Sequence, residues 1–223
     1  MTKIFDSSAL SILPLSDGII FAYCEELDGD RMAVGFKSVS FEDGKMKNVT
    51  TDYYSIAKFG ANYKSLLLTI DNPVTCKAVY LQNGNVFVVN DAGQAMIIDR
   101  DNCIVWNGEI SHKGAPASGV AADGNTLWCS YKDSGILVRY NIRTMRDELR
   151  LGGGKNTVIS SPKGIHIADG LMRVCDCDAG KIFEIDLNSY SMKLYREFDE
   201  PVHQYIKIRS HELVLLDSGI YVL

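Results

Sequence analysis

No apolar run in these 223 residues approaches the roughly 18 that a membrane-spanning helix needs. Leu66-Leu67-Leu68 is bounded by Lys64 and Asp71. The first residues, Met1–Asp6, lack the uninterrupted apolar core of a secretion signal. Basic excess is missing too: 23 Lys and Arg stand against 28 Asp and Glu, for a net charge of −5 and a pI near 5.4. Nucleic-acid surfaces carry the opposite balance. The expectation is a soluble cytoplasmic chain with neither nucleic acid nor membrane as a partner.

The usual catalytic signatures are missing as well. There is no His-Glu-x-x-His and no Gly-x-Ser-x-Gly, and the four histidines (112, 166, 203, 211) show no paired spacing. Six cysteines (24, 76, 103, 129, 175, 177) are even in number, but the chain is too large to be a disulfide-stapled mini-domain, so they read as reduced thiols. Cys175 and Cys177 fall on one face of a strand without the Cys-x-x-Cys or Cys/His set of a zinc site. They read as small buried thiols. Gly152-Gly153-Gly154-Lys155 resembles a phosphate loop only superficially: Leu149 stands where the first Gly is required, and Asn156 where Ser or Thr is. No carboxylate pair marks a general acid and base.

Long helical segments between the apolar runs are also absent, and this turns attention to what is present. Pro162–Asp186 holds three short apolar runs separated by Asp169-Gly170 and by a polar turn ending at Gly180. That is three strands and two hairpins. Aligning on the first turn finds Asp17-Gly18, Asn83-Gly84, Asp123-Gly124, Asp169-Gly170 and a degenerate Ser210-His211, at intervals of 66, 40, 46 and 41 residues. A proline precedes four of the units: Pro73, Pro116, Pro162 and Pro201. Five units of about 45 residues match the four-stranded blade of a propeller. Runs such as Val86–Val89 and Leu213–Leu216 are apolar on both faces, as expected for sheets packed between two neighbours.

The fold class read from this is all-β: a β-propeller of five blades, each of four antiparallel strands, in a single domain over residues 1–223. The last unit has only three strands, ending in Gly219–Leu223. Lys3–Asp6 supplies the fourth, so the N-terminal strand closes the ring and removes an exposed edge. The first interval is too long by about 20 residues, which defines an insertion at about 52–71. Ile56, Phe59, Tyr63 and Leu66 have helical spacing after Asp52. A hairpin of Tyr53–Phe59 with Lys64–Ile70, as part of a sixth blade, is the rival. Tyr53, Tyr54, Phe59 and Tyr63 make this segment aromatic: a lid over a ligand, a partner's contact, or the cover of a blade edge.

These units resemble NHL/YVTN-like propeller repeats, on the strength of Pro116–Val120, Asp123-Gly124-Asn125 and Gly135–Asn141, and again of Pro162–Asp186. The repeat around Leu127-Trp128 is similar to that of streptogramin lyases, and the overall pattern to gluconolactonase-type propellers. The resemblance implies a ring of loops around a channel, with roles from scaffolding to hydrolysis. No active-site residue of those families is evident at a matching position.

In such a ring the ends of the second strands and the inter-blade segments gather at one mouth. The second strands bring Cys24, Asn90, Tyr131, Asp176 and Asp217; the inter-blade segments bring Lys77, Ser118, Lys163, His203 and Gln204. The candidate ligand-binding set is Asn90, Tyr131, Lys163, Asp176, His203 and Asp217. The reading is a non-catalytic binding module, without a cofactor, presenting this mouth to a partner protein or a small polar ligand. The alternative is a metal-dependent hydrolase or lyase, with a divalent cation such as Ca²⁺ held by Asp176, Asp217, Asn90 and His203. Asp and Asn are also common turn formers, so each must be tested against a structural role.

Overall fold

A computed structural model describes residues 1–15, 17–27, 31–49, 77–101, 103–155 and 157–223. The insertion at 52–71, with its helix-or-hairpin alternatives and its four aromatics, lies outside the described residues, as do Pro73 and Cys76.

Five four-stranded antiparallel sheets make the propeller. Blade 1 is β2 (Ala9–Pro14), β3 (Gly18–Leu27), β4 (Arg31–Ser40) and β5 (Met46–Asn48). Blade 2 is β6 (Lys77–Tyr80), β7 (Val86–Val89), β8 (Gln94–Ile98) and β9 (Ile104–Glu109). A small hairpin follows, β10 (Ser111–His112) with β11 (Ala115–Pro116). Blade 3 is β12 (Gly119–Asp123), β13 (Thr126–Tyr131), β14 (Ile136–Asn141) and β15 (Asp147–Gly152). Blade 4 is β16 (Pro162–Ala168), β17 (Leu171–Asp176), β18 (Lys181–Asp186) and β19 (Met192–Glu197). Blade 5 joins β20 (Val202–Ile208), β21 (His211–Leu216) and β22 (Gly219–Val222) to β1 (Thr2–Phe5), whose Lys3 pairs with Tyr221. The N-terminal strand therefore completes the last blade.

Turn chemistry explains why the strands break where they do. Asp169 and Gly170 both have positive φ (54° and 74°), which gives the tight two-residue loop whose twist suits a hairpin. In blade 5 the turn falls one residue earlier than the sequence alignment places it. Arg209, not His211, takes the positive φ (55°), and His211 already belongs to β21. The turn after each third strand has its own device. Asp99, Asn141 and Asp186 each accept from two nearby backbone N–H groups through one side-chain oxygen. This Asx geometry is why the repeat ends in Asp or Asn.

The core lies between blades rather than inside any one of them. Along β13, Leu127, Cys129 and Tyr131 pack towards blade 2, against Phe87, Val89 and Ile97. Trp128 packs the other way, against Met172, Val174 and Phe183 of blade 4. β17 continues the alternation, its Cys175 meeting Tyr205 and Val214 of blade 5. Side chains alternate faces along a strand; here both faces are core, which produces the doubly apolar runs.

The first strands of neighbouring blades touch: β12 lies against β6 and β16, β16 against β20, and β20 against β2. A Cβ on Gly119 would stand 2.2 Å from the Lys163 carbonyl oxygen, and one on Gly164 2.7 Å from that of His203. Glycine there permits the backbones to close on each other. Gln204 clamps blade 5 to blade 1, donating to the Ile12 carbonyl (2.8 Å) and accepting from the Ile12 N–H (2.9 Å). Ser130 Oγ donates to the Lys163 carbonyl across blades 3 and 4 (2.7 Å).

Candidate functional site

Pairing of Lys77 with Val89, Gly119 with Ser130, Pro162 with Asp176 and Val202 with Leu216 brings the starts of the first strands beside the ends of the second. Those ends form the mouth that the sequence indicated. The six candidate residues do not share one fate there.

Lys163, His203 and Asp217 come together. Lys163, the second residue of β16, brings Nζ to 2.7 Å from His203 Nδ1, and His203 Nε2 contacts Asp217 Oδ1. An ammonium can only donate, so Nδ1 accepts, and the proton of the neutral ring sits on Nε2, donated to Asp217. Cys177 Sγ lies 3.4 Å from the same Nδ1. Burial holds the Lys163 pKa below its ordinary value; Cys177 opposes this, and the nearby Lys132 and Lys77 ammoniums add to it. Burial pushes the Cys177 thiol up, against Lys163 and Lys132, which favour its thiolate. Lys132, just after β13, pairs with Asp178 at 2.8 Å, and Lys77 with Asp91 at 2.9 Å. The hydrogen bond from Asp178 raises the Lys132 pKa over the opposing effect of burial.

Asp176 is committed elsewhere. It is 1% exposed, and its carboxylate accepts from the backbone N–H of Ser160 (3.0 Å) and Ser161 (2.7 Å) as well as from both hydroxyls. It ties the segment entering blade 4 to the end of β17. The reason is parity: Asp176 follows Met172 and Val174 on the face towards blade 3, whereas Cys177 follows Cys175 on the face towards blade 5. Asn90 is likewise turned inwards, its Oδ1 accepting from the N–H of Ala92 and Gln94 and its Nδ2 donating to Gln94 Oε1. Tyr131 is fully buried, its hydroxyl 2.8 Å from that of Tyr140. Burial and these neighbours raise the pKa of both phenols.

The proposed divalent-cation set of Asp176, Asp217, Asn90 and His203 is therefore divided among different contacts. Among the described residues, no three His, Cys, Asp or Glu side chains converge as a metal site would require. Sequence reasoning set Cys177 aside as core and left Lys132 out. Strand parity from Cys175 was the signal that could have put the thiol beside His203. The five described cysteines form no disulfide.

No protein-family model matches the sequence, and no curated protein is similar enough to match. Solved structures do match. The fold is that of a β-propeller. Sqt1 of Saccharomyces cerevisiae is similar over 96% of this chain and 71% of its own, at 10% identity and a TM-score of 0.59. A streptogramin B lyase is similar over 98% and 94%, at 11% identity and 0.53. The RRP9 WD40 repeats are similar over 93% and 57%, at 10% identity and 0.53. At these identities the likeness is one of fold alone.

Proposed function

We propose that the protein is a non-catalytic binding module, and that the channel mouth at blades 3, 4 and 5 takes a small polar ligand. One observation carries this reading: the half-buried chain from Lys163 through His203 to Asp217. Desolvating an ammonium beside an imidazole is costly, and such arrangements cluster at sites of function. A purely structural strut at this spot would be better served by apolar packing, which the same strands use one residue deeper. The fine assignment to NHL/YVTN-like repeats belongs to this proposal. It is supported by Gly119 and Gly164 at the close strand contacts and by the Asx turns at Asn141 and Asp186.

The metal-dependent hydrolase or lyase reading draws on the likeness to the streptogramin B lyase. It would have to work without Asp176 and Asn90, whose polar atoms are already engaged.

A thermal-shift screen of the pure protein against sugars, lactones, nucleotides and divalent metals tests the proposal, because a ligand of the native state raises the melting temperature. The expected result is a saturable shift that His203→Ala abolishes, with the ligand recovered chemically unchanged. A Ca²⁺ shift dependent on Asp217, together with turnover of a lactone, would move the assignment to the enzyme. A flat screen would point to a protein partner.

A further inference from the structure

The mouth has a radial order of charge that goes beyond "polar", and this rests on the binding reading above. Lys77 and Lys132 are 25% and 34% exposed, while their partners Asp91 and Asp178 are 45% and 64% exposed; Asp217 is 55% exposed. The ammoniums thus sit deeper than the carboxylates that balance them. Lys163 is half-buried, and its hydrogen-bond partner is an imidazole nitrogen rather than a carboxylate. Three blades contribute one such lysine each: Lys77 from β6, Lys132 from the end of β13 and Lys163 from β16.

An ammonium carries three N–H donors. Lys163 uses one on His203 Nδ1, Lys132 one on Asp178 and Lys77 one on Asp91. The inner wall is therefore rich in unspent donors and in positive charge, while the acceptors face outward. Like charges at this depth repel one another more than they would in water. A cation entering the mouth meets the lysines; an anion relieves their repulsion.

We propose that the ligand of this mouth is a small molecule entered by an anionic head, a carboxylate or a phosphate, which is held on Lys163 and Lys132 beside His203. Bound there, the head takes donors that Lys163 and Lys132 have free and leaves the His203–Asp217 contact in place. The outer aspartates exclude a second negative group from the rim, which limits the ligand to one concentrated site of charge at its inner end. Polyanions such as nucleic acid are disfavoured by the same ring and by the net charge of −5.

The test is a thermal-shift titration at constant ionic strength, since screening would otherwise mimic binding. The probes are succinate, inorganic phosphate, the neutral succinamide, the neutral polyol glycerol and choline. The expected result is a saturable rise with succinate or phosphate and none with succinamide or choline. Succinate and phosphate, compared at equal charge, separate the two head groups. Lys163→Met should raise the half-saturating concentration at least tenfold, and Lys45→Met, at an exposed lysine of blade 1, should leave it unchanged. If Lys163→Met does not fold, Lys132→Met serves with the same expectation. Equal response of wild type and Lys163→Met overturns the inference. A glycerol or succinamide shift that needs His203 but not Lys163 overturns the anionic head and leaves the mouth reading standing. Silence with every probe overturns both.

Discussion

Asp176 and Asp217 occupy the same place in adjacent blades, at the end of the second strand, and they have opposite fates. Asp176 is buried under donors from Ser160 and Ser161, with both oxygens engaged. Asp217 is more than half exposed, and its carboxylate meets one side chain, His203. What differs is the segment arriving from the blade before. In blade 4 it brings two serines, whose N–H and O–H groups enclose the carboxylate. In blade 5, at the position matching Lys163, β20 brings His203, which leaves the carboxylate at the rim. A repeat position thus sets where a side chain begins, and the neighbouring blade decides what it does.

The largest effect should come from Asp176→Ala. It strands two backbone N–H groups and two hydroxyls away from water, at a cost of roughly 3–5 kcal/mol, read as a lower urea midpoint. Next is Asn90→Ala, which removes an acceptor from two backbone N–H groups; a loss of about 1–2 kcal/mol is expected. Tyr131→Phe leaves the Tyr140 hydroxyl without its partner and should cost about 1 kcal/mol by the same measurement. Asp217→Ala should change stability by no more than about 0.5 kcal/mol, as surface substitutions usually do, while abolishing the response to ligand. If Asp217→Ala unfolds the protein as readily as Asp176→Ala, the contrast between the two blades is broken.

A pH scan sharpens the contrast at the far end of β16. Burial, with Arg173 and Lys207 adding to it, pushes the His166 pKa down from 6.5 to about 4. Between those values the unfolded chain binds a proton that the folded chain does not, so this histidine makes stability fall as pH drops. Its contribution is fully present above pH 6.5 and gone near pH 4. His166→Gln should flatten that part of the profile, with little change above pH 7.

Much of the fold was legible because turns and parity leave local marks. Asp169-Gly170, the doubly apolar strands and the aspartates closing third strands gave the blades nearly to the residue. The three-stranded end of the chain foretold the pairing of β1 with β22. The candidate site was less legible. Alignment on turns found Lys163, His203 and Asp217, but it treated every second-strand end as facing the channel. It could not see that Ser160 and Ser161 enclose Asp176, because that contact joins an inter-blade segment to a strand 15 residues later. Nor could it see Lys132, which follows β13 in a short 3-10 turn and reaches across to Asp178 of the next blade.

The most direct test of the account is a ¹⁵N spectrum of the four imidazoles during titration with succinate. The account predicts that the His203 resonances move and saturate at the concentration that saturates the thermal shift, while those of His112, His166 and His211 stay in place. Movement of any of those three with His203 unchanged, or a thermal shift with no imidazole moving, would contradict it.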